Sequence, residues 1–317
     1  MTRTVTFSFC FSLLASVSHL QAQPVLRPAT FRSDAQMVLV PVTVTDQRAK
    51  TITGLRMQDF AIFDNGASQQ IVSFTNDDAP CSIGLVLDIS GSMRNALGAA
   101  KSVAHGFLKA SNPEDEFLLL TVSTEPEETG RFSTDIEALE DNIENSRSEG
   151  MTALIDTVYL GLNRMSKAHQ PRRAMLILSD GIDNFSRYSE SELMRAALEA
   201  DVQIYAIIMD SGSGGTVGGG APFRPSLAAK PWDQARQRQG PLLLETLAEK
   251  TGGISFHVKK ESEANDAAVK AARALRDEYV IGYQAPPTAP AGKYHRVRVK
   301  ALVPKANVYA RNGYYSQ

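Results

Sequence analysis

Five oxygen-bearing side chains, set at three separated places, have the chemistry to hold a hard cation. The first place is Asp88-Ile89-Ser90-Gly91-Ser92. It follows the short apolar run Ser82 to Leu87 (SIGLVL), which reads as a strand buried on both faces. A turn there lets residues 88, 90 and 92 point to one side, offering one carboxylate and two hydroxyls. The second place is Thr152, after Gly150-Met151, and the third is Asp180, which follows the apolar run Arg173 to Leu178 (RAMLIL). Hard oxygen donors suit Mg²⁺, Mn²⁺ or Ca²⁺ and not zinc or copper. Magnesium takes about six oxygens at roughly 2.0–2.1 Å and often keeps waters. Asp88, Ser90, Ser92, Thr152 and Asp180 would therefore leave room for water and for one group from a partner.

Other chemistries fit less well. A phosphotransferase that uses a strand-end Asp wants a second Asp two residues on, where this chain has Ser90. The G-x-S-x-G turn of serine hydrolases is absent. The glycines at 212 to 220 lack the Lys-Ser/Thr ending of a phosphate-binding loop. His19, His105, His169, His257 and His295 are scattered, as surface or core residues are. Arg296, Arg298 and Lys300 alternate along one strand, which reads as a solvated edge face.

The three places need a scaffold that brings strand ends together. Between about residues 80 and 276, strand-like and helix-like segments alternate. The strands are Ser82–Leu87, Glu116–Val122, Arg173–Leu178, Val202–Met209 and Ile254–Val258. The helices are Ala96–Ala110, Asp135–Ser146, Thr152–Ala168, Ser189–Ala200 with a Ser-x-x-Glu start, Leu242–Lys250 and Ser262–Arg276. This alternation predicts an α/β fold with a doubly wound, mostly parallel sheet and helices on both faces. In such sheets ligands gather at the carboxyl ends of the strands. Ser211 to Gly240 breaks the pattern with glycines and prolines and reads as a loop.

Both flanks are β-like. Val38–Asp46 alternates, and so does Asp59–Asp64; Asn65-Gly66 then predicts a hairpin turn returning through Gln70–Phe74. Glu278–Tyr283, Tyr294–Val303 and Asn307–Arg311 read as strands after the α/β region. Two β-rich ends around a different middle predict one small antiparallel β unit built from the N- and C-terminal flanks.

The chain has 317 residues, enough for one large and one small domain. Its net charge of −2 excludes a general field favouring nucleic acid. Residues 1–22 read as a signal peptide, with Arg3, an apolar run from Val5 to Val17 and Ala22 at the cleavage position; the run is too short to span a bilayer. Removal of Cys10 with that segment leaves Cys81 alone, so no internal disulfide forms, and Cys81 reads as a small buried residue. The expected divisions are 1–22, an N-terminal β segment 23–78, an α/β domain 79–277 and a C-terminal β segment 278–317.

The motif set resembles a known family. D-x-S-x-S at 88–92, Gly150-Met151-Thr152-Ala153-Leu154 and Ser179-Asp180-Gly181 are similar, in this order, to the metal-ion-dependent adhesion site of von Willebrand factor A-type (VWA) domains. The resemblance covers about Pro80 to Arg276. It implies that Ser90 and Ser92 ligate directly, and that Asp88, Thr152 and Asp180 ligate directly or through water. Asp183 lies outside the core pattern and is a possible neighbour of the ligands. VLVPVTVTD, DFAIFDNG, EYVIGY and ARNGYY in the flanks resemble a VWA-related group of exported bacterial proteins abundant in acidobacteria. The resemblance implies a Mg²⁺ (or Mn²⁺ or Ca²⁺)-dependent binding module of the envelope or secreted space, not an enzyme, whose partner is a protein or glycan offering a carboxylate. A metal-dependent hydrolase and an envelope scaffold without metal are the alternatives.

Overall fold

The structure is a computed structural model that describes residues 37–210, 231–285 and 292–316, with the side chains of 231–239 excepted. The expected signal peptide and the expected loop up to residue 230 lie outside the described residues. In the N-terminal flank the strands are β1 (Met37–Thr45), β2 (Phe60–Asp64), β3 (Ala67–Gln69) and β4 (Ile71–Thr75). The central region then runs β5 (Cys81–Asp88), α1 (Leu97–Ala110), β6 (Glu116–Val122), β7 (Glu127–Ser133), α2 (Ile136–Asn145), α3 (Leu154–Arg164) and β8 (Arg172–Ser179). It continues through α4 (Glu190–Glu199), β9 (Gln203–Met209), α5 (Pro231–Thr251), β10 (Ser255–Val258) and α6 (Ala264–Arg276). The C-terminal flank adds β11 (Tyr279–Gln284), β12 (Tyr294–Ala301), β13 (Asn307–Ala310) and β14 (Gly313–Tyr315).

The central sheet has the order β10-β9-β8-β5-β6-β7. All neighbours are parallel except the edge strand β7, which pairs antiparallel with β6. This is the doubly wound sheet expected from the alternation. β5 shows why its run is continuously apolar: Ile83, Leu85 and Leu87 face one helical layer and Val86 faces the other. α1 and α6 cover the first face with residues such as Phe107, Ala268 and Leu275. α3, α4 and α5 cover the second with Val158, Leu193 and Leu247. With both faces buried, polar alternation would place unpaired polar groups in the core. The edge strand β7 escapes an apolar reading because it is exposed along almost its whole length.

The chain winds outward in both directions from β5: to β6 on one side and, after α3, to β8 on the other. The carboxyl ends of β5 and β8 are therefore adjacent at the switch in winding direction, the place where open α/β sheets gather ligands. Asp88 ends β5 and Asp180 directly follows β8.

The flanks form two four-stranded antiparallel sheets, β13-β1-β11-β4 and β14-β12-β2-β3. Each sheet combines strands from both ends of the chain. They share one apolar core with Val40, Val42, Ile62, Tyr279, Ile281 and Tyr283. Three expectations need correction. The hairpin at Asn65-Gly66 returns through the short β3, paired Asp64 with Ala67. Gln70–Phe74 instead crosses to the other sheet, where β4 pairs with β11. The basic residues Arg296, Arg298 and Lys300 do lie on an exposed face, but β12 is an inner strand between β14 and β2, not an edge. And α5 begins at Pro231, inside the stretch expected to be loop up to Gly240. Among the described residues no helix is long and apolar enough to cross a membrane.

Candidate functional site

The site is built first by β5. Asp88 at its end is fully buried. One carboxylate oxygen, Oδ1, accepts the Ser90 amide at 2.9 Å, which folds the chain over the strand end. The other, Oδ2, accepts the Ser179 hydroxyl from the end of β8 at 2.5 Å. That contact ties the two strand ends across the switch. After the turn, the Ser90 and Ser92 hydroxyls lie 3.1 Å apart. Ser90 is fully buried, Ser92 is partly exposed, and buried Met93 anchors the short helical turn that follows. Residues 88, 90 and 92 thus meet at one place, as their spacing predicts.

Burial pushes Asp88 up to about 6, against hydrogen bonds from Ser179 and Ser90 that pull it down; the nearby charge of Asp180 raises it further. Asp180 is itself only 5% exposed. Its Oδ1 accepts the Ile182 amide at 3.0 Å, while its Oδ2 is buried and has no hydrogen-bond partner. Two buried carboxylates therefore lie near enough for their charges to act on each other, and one oxygen lacks any donor. Ser179 also accepts the Gly181 amide at 2.9 Å, so the residue before Asp180 is locked on both sides.

Thr152 reaches the same region by a different route. The Gly150 carbonyl accepts the Gly91 amide at 3.0 Å, and the Ile89 carbonyl accepts the Glu149 amide at 2.8 Å. The Ser148 hydroxyl donates to the Ser90 carbonyl at 2.6 Å. Segment 148–152 thereby lies along the 88–92 turn. Thr152 is buried, 1% exposed, and precedes α3 instead of starting it as expected: Leu154 is the first helical residue. Its amide donates to the Asn184 side chain at 2.9 Å, and its carbonyl accepts the Asn184 and Phe185 amides, each at 3.0 Å. These bonds join the second and third pieces of the motif.

Some residues that hold the site were not read from the sequence. Ser148 and Asn184 each bond the backbone of a candidate ligand, and a lone Ser or Asn carries no spacing signal; Ser179 belongs to the third piece of the motif, but its bond to Asp88 was not foreseen. Asp183, a possible neighbour of the ligands, has another task. It accepts the Ile155 amide at 3.0 Å and the Ser186 hydroxyl at 2.5 Å, capping the start of α3. Gly181 takes φ +80°, and a Cβ there would overlap the Gly240 carbonyl at the approach of α5. No side chain fits, which lets α5 close over the end of β8.

Could these residues hold an ion? Among the described residues no three His, Cys, Asp or Glu side chains group as a metal site. A cation here must take two carboxylates and complete its shell from hydroxyls and water. That donor set fits a hard divalent ion, and the orphaned Asp180 Oδ2 beside buried Asp88 is the feature such an ion would answer.

Residues 83–182 match the von Willebrand factor type A domain, a span that contains all three pieces of the motif. This stretch of the central region is similar to a VWA domain. No curated protein matches the chain in sequence. Solved structures similar to it include an aerotolerance-related membrane protein from Bacteroides fragilis (17% identity, covering 61% of this chain and 98% of that one, TM-score 0.46). A von Willebrand factor type A protein from Catenulispora acidiphila is 12% identical and covers 90% of this chain and 76% of its own, with TM-score 0.49. The vWF domain of the type V pili tip protein Mfa5 from Porphyromonas gingivalis is 12% identical and covers 62% of this chain and 95% of its own, with TM-score 0.47.

Proposed function

We propose that this VWA domain is a divalent-metal-dependent binding module. Asp88, Ser90, Ser92, Thr152 and Asp180 hold Mg²⁺, with Mn²⁺ or Ca²⁺ as substitutes. Ser90 and Ser92 supply neutral donors, and the two carboxylates supply charge. The open position of the ion takes a carboxylate from a protein or glycan partner, which neutralises the remaining charge and makes a charge-assisted contact. The observation that carries this reading is the unpartnered, buried Oδ2 of Asp180 beside the buried carboxylate of Asp88. Two such carboxylates without a counter-charge are costly, and one cation answers both.

On this reading the chain acts by binding and not by catalysis. The N-terminal segment, read as a signal peptide, supports an exported chain of the periplasm or extracellular space. The test is affinity capture from a bacterial envelope fraction, with and without chelator, using wild type and Asp88→Asn. The reading predicts partners held by wild type in Mg²⁺ and released by chelator, and none held by the variant. Capture that is indifferent to both chelator and substitution contradicts it.

A further inference from the structure

We infer that a cavity at the amino end of the central sheet binds a small organic monocarboxylate, with Arg173 and Lys250 as its cationic contacts. The cavity is about 200 Å³ and lies where the starts of β8 and β9 meet the flanking sheet of β1 and β11. Arg173 is the second residue of β8 and Asp180 follows its end, so the two sites are about 23 Å apart at roughly 3.3 Å per residue. The inference does not depend on the metal site.

The charges lining the cavity do not balance. Arg172, Arg173, Lys250 and Arg311 face Asp201 and Glu278. Arg172 pairs with Glu278 at 2.9 Å and also donates to the Ala79 and Leu275 carbonyls. Arg311 pairs with Asp201 and donates to the Leu39 carbonyl. Those pairs use both carboxylates. Among the described residues, Arg173 and Lys250 are left without an ion pair, and the Arg173 guanidinium has no acceptor. The Nε atoms of Arg172, Arg173 and Arg311 are all buried with no hydrogen-bond partner. The unpaired Arg173 and Lys250 leave the lining with an excess of positive charge that an acceptor with several lone pairs would answer. A planar oxyanion matches the guanidinium fork with two oxygens.

Two features select a monocarboxylate over a phosphate. The other wall is apolar, formed by Leu39, Pro41 and Val280, with Leu39 48% exposed at its mouth. A carboxylate on a short hydrocarbon covers that wall; inorganic phosphate has nothing to place there. The carboxyl ends of α4 and α5 also converge on the cavity, through Ala197, Leu198, Lys250 and Thr251. Their partial negative charge opposes a dianion more than a monoanion. The volume is below that of drug-sized sites, roughly 300–1,000 Å³, so the ligand is small.

The experiment is calorimetric titration of the full chain with sodium hexanoate and with inorganic phosphate. Wild type, Arg173→Gln, Arg173→Lys, Lys250→Gln and the exposed-strand control Arg298→Gln are compared, each checked for folding by circular dichroism. We expect saturable one-site binding of hexanoate that phosphate does not displace. Loss of a charge-assisted pair predicts about tenfold or greater weakening in Arg173→Gln, partial recovery in Arg173→Lys and no change in Arg298→Gln. If Arg173→Gln does not fold, Lys250→Gln carries the same expectation. Absence of saturable hexanoate binding overturns the inference and leaves a hydrated cavity. So does binding unchanged in a folded cavity variant, and so does displacement by phosphate.

Discussion

At the residue scale, Asp88 sets the behaviour of the site. Its carboxyl titrates near 6 in the fold, against 3.8 in an open chain, because burial disfavours its charge. A folded value above the unfolded one means that the metal-free fold takes up a proton as pH falls. The cost of the charge is therefore absent below about pH 4, grows as pH rises toward 6 and is full above it. Held ionised at neutral pH without a cation, this one carboxylate costs the fold about 3 kcal/mol. In chelator, the urea midpoint of wild type should drop as pH rises from 4 to 7, more than that of Asp88→Asn over the same range. Parallel profiles would show that the charge of Asp88 costs the fold nothing. The sign reverses when metal is present: the cation binds the ionised form, so its affinity should fall about tenfold per unit as pH drops below 6. The residue types and spacing of 88, 90 and 92 made this centre legible, because a strand-end turn leaves alternate side chains on one side. The supporting bonds of Ser179 and Asn184 were not legible, because they depend on which strands become neighbours.

At the element scale, the ends of β5 and β8 and the start of α3 hold the three pieces in register. Asp183 caps α3 through the Ile155 amide and also holds Ser186. Asp183→Ala should cost about 1–2 kcal/mol in urea unfolding and leave Mg²⁺ affinity nearly unchanged. A large loss of affinity at unaltered stability would make Asp183 part of the metal site instead. Gly181 matters for the packing of α5. Its backbone is in the left-handed region, and a Cβ would meet Gly240. Gly181→Ala should cost at least about 1–3 kcal/mol from conformation alone, with the collision added, read as a lowered urea midpoint. The central strands and helices were readable from sequence because both faces of the sheet are covered, which forces unbroken apolar runs. β7 was not, since an exposed edge strand carries no such run. The start of α5 was missed because glycine and proline around 231–241 read as breakers, whereas Pro241 lies within the helix.

At the scale of the whole molecule, one buried carboxylate binds the two ends of the chain together. Asp64 of β2 is 1% exposed and accepts three side chains from the C-terminal flank. These are His295 at 2.9 Å, Tyr283 at 2.9 Å and Tyr314 at 3.0 Å. Burial is the first cause of the raised tyrosine pKa values, with Tyr314 pushed up to about 12, so both hydroxyls stay donors. Removing the carboxylate leaves three buried partners without an acceptor. Asp64→Ala should cost about 3 kcal/mol or more in urea unfolding, while the variant, once folded, keeps wild-type affinity for Mg²⁺. A neutral substitution would mean that the flanks cohere through apolar packing alone. The β character of both flanks was legible in their alternation, and so was their union. Their division into two sheets was not: the crossing at Gln70 has no local signal, and register across more than 200 residues of intervening chain is set by packing.

The most direct test of the proposed metal site is isothermal titration of Mg²⁺ into chelator-treated protein at pH 7.5, comparing wild type with Asp88→Asn and Asp180→Asn. The account predicts one saturable site in wild type and none in either folded variant, with a higher melting temperature in Mg²⁺ for wild type alone. Absence of binding in wild type, or equal binding in all three proteins, would contradict it.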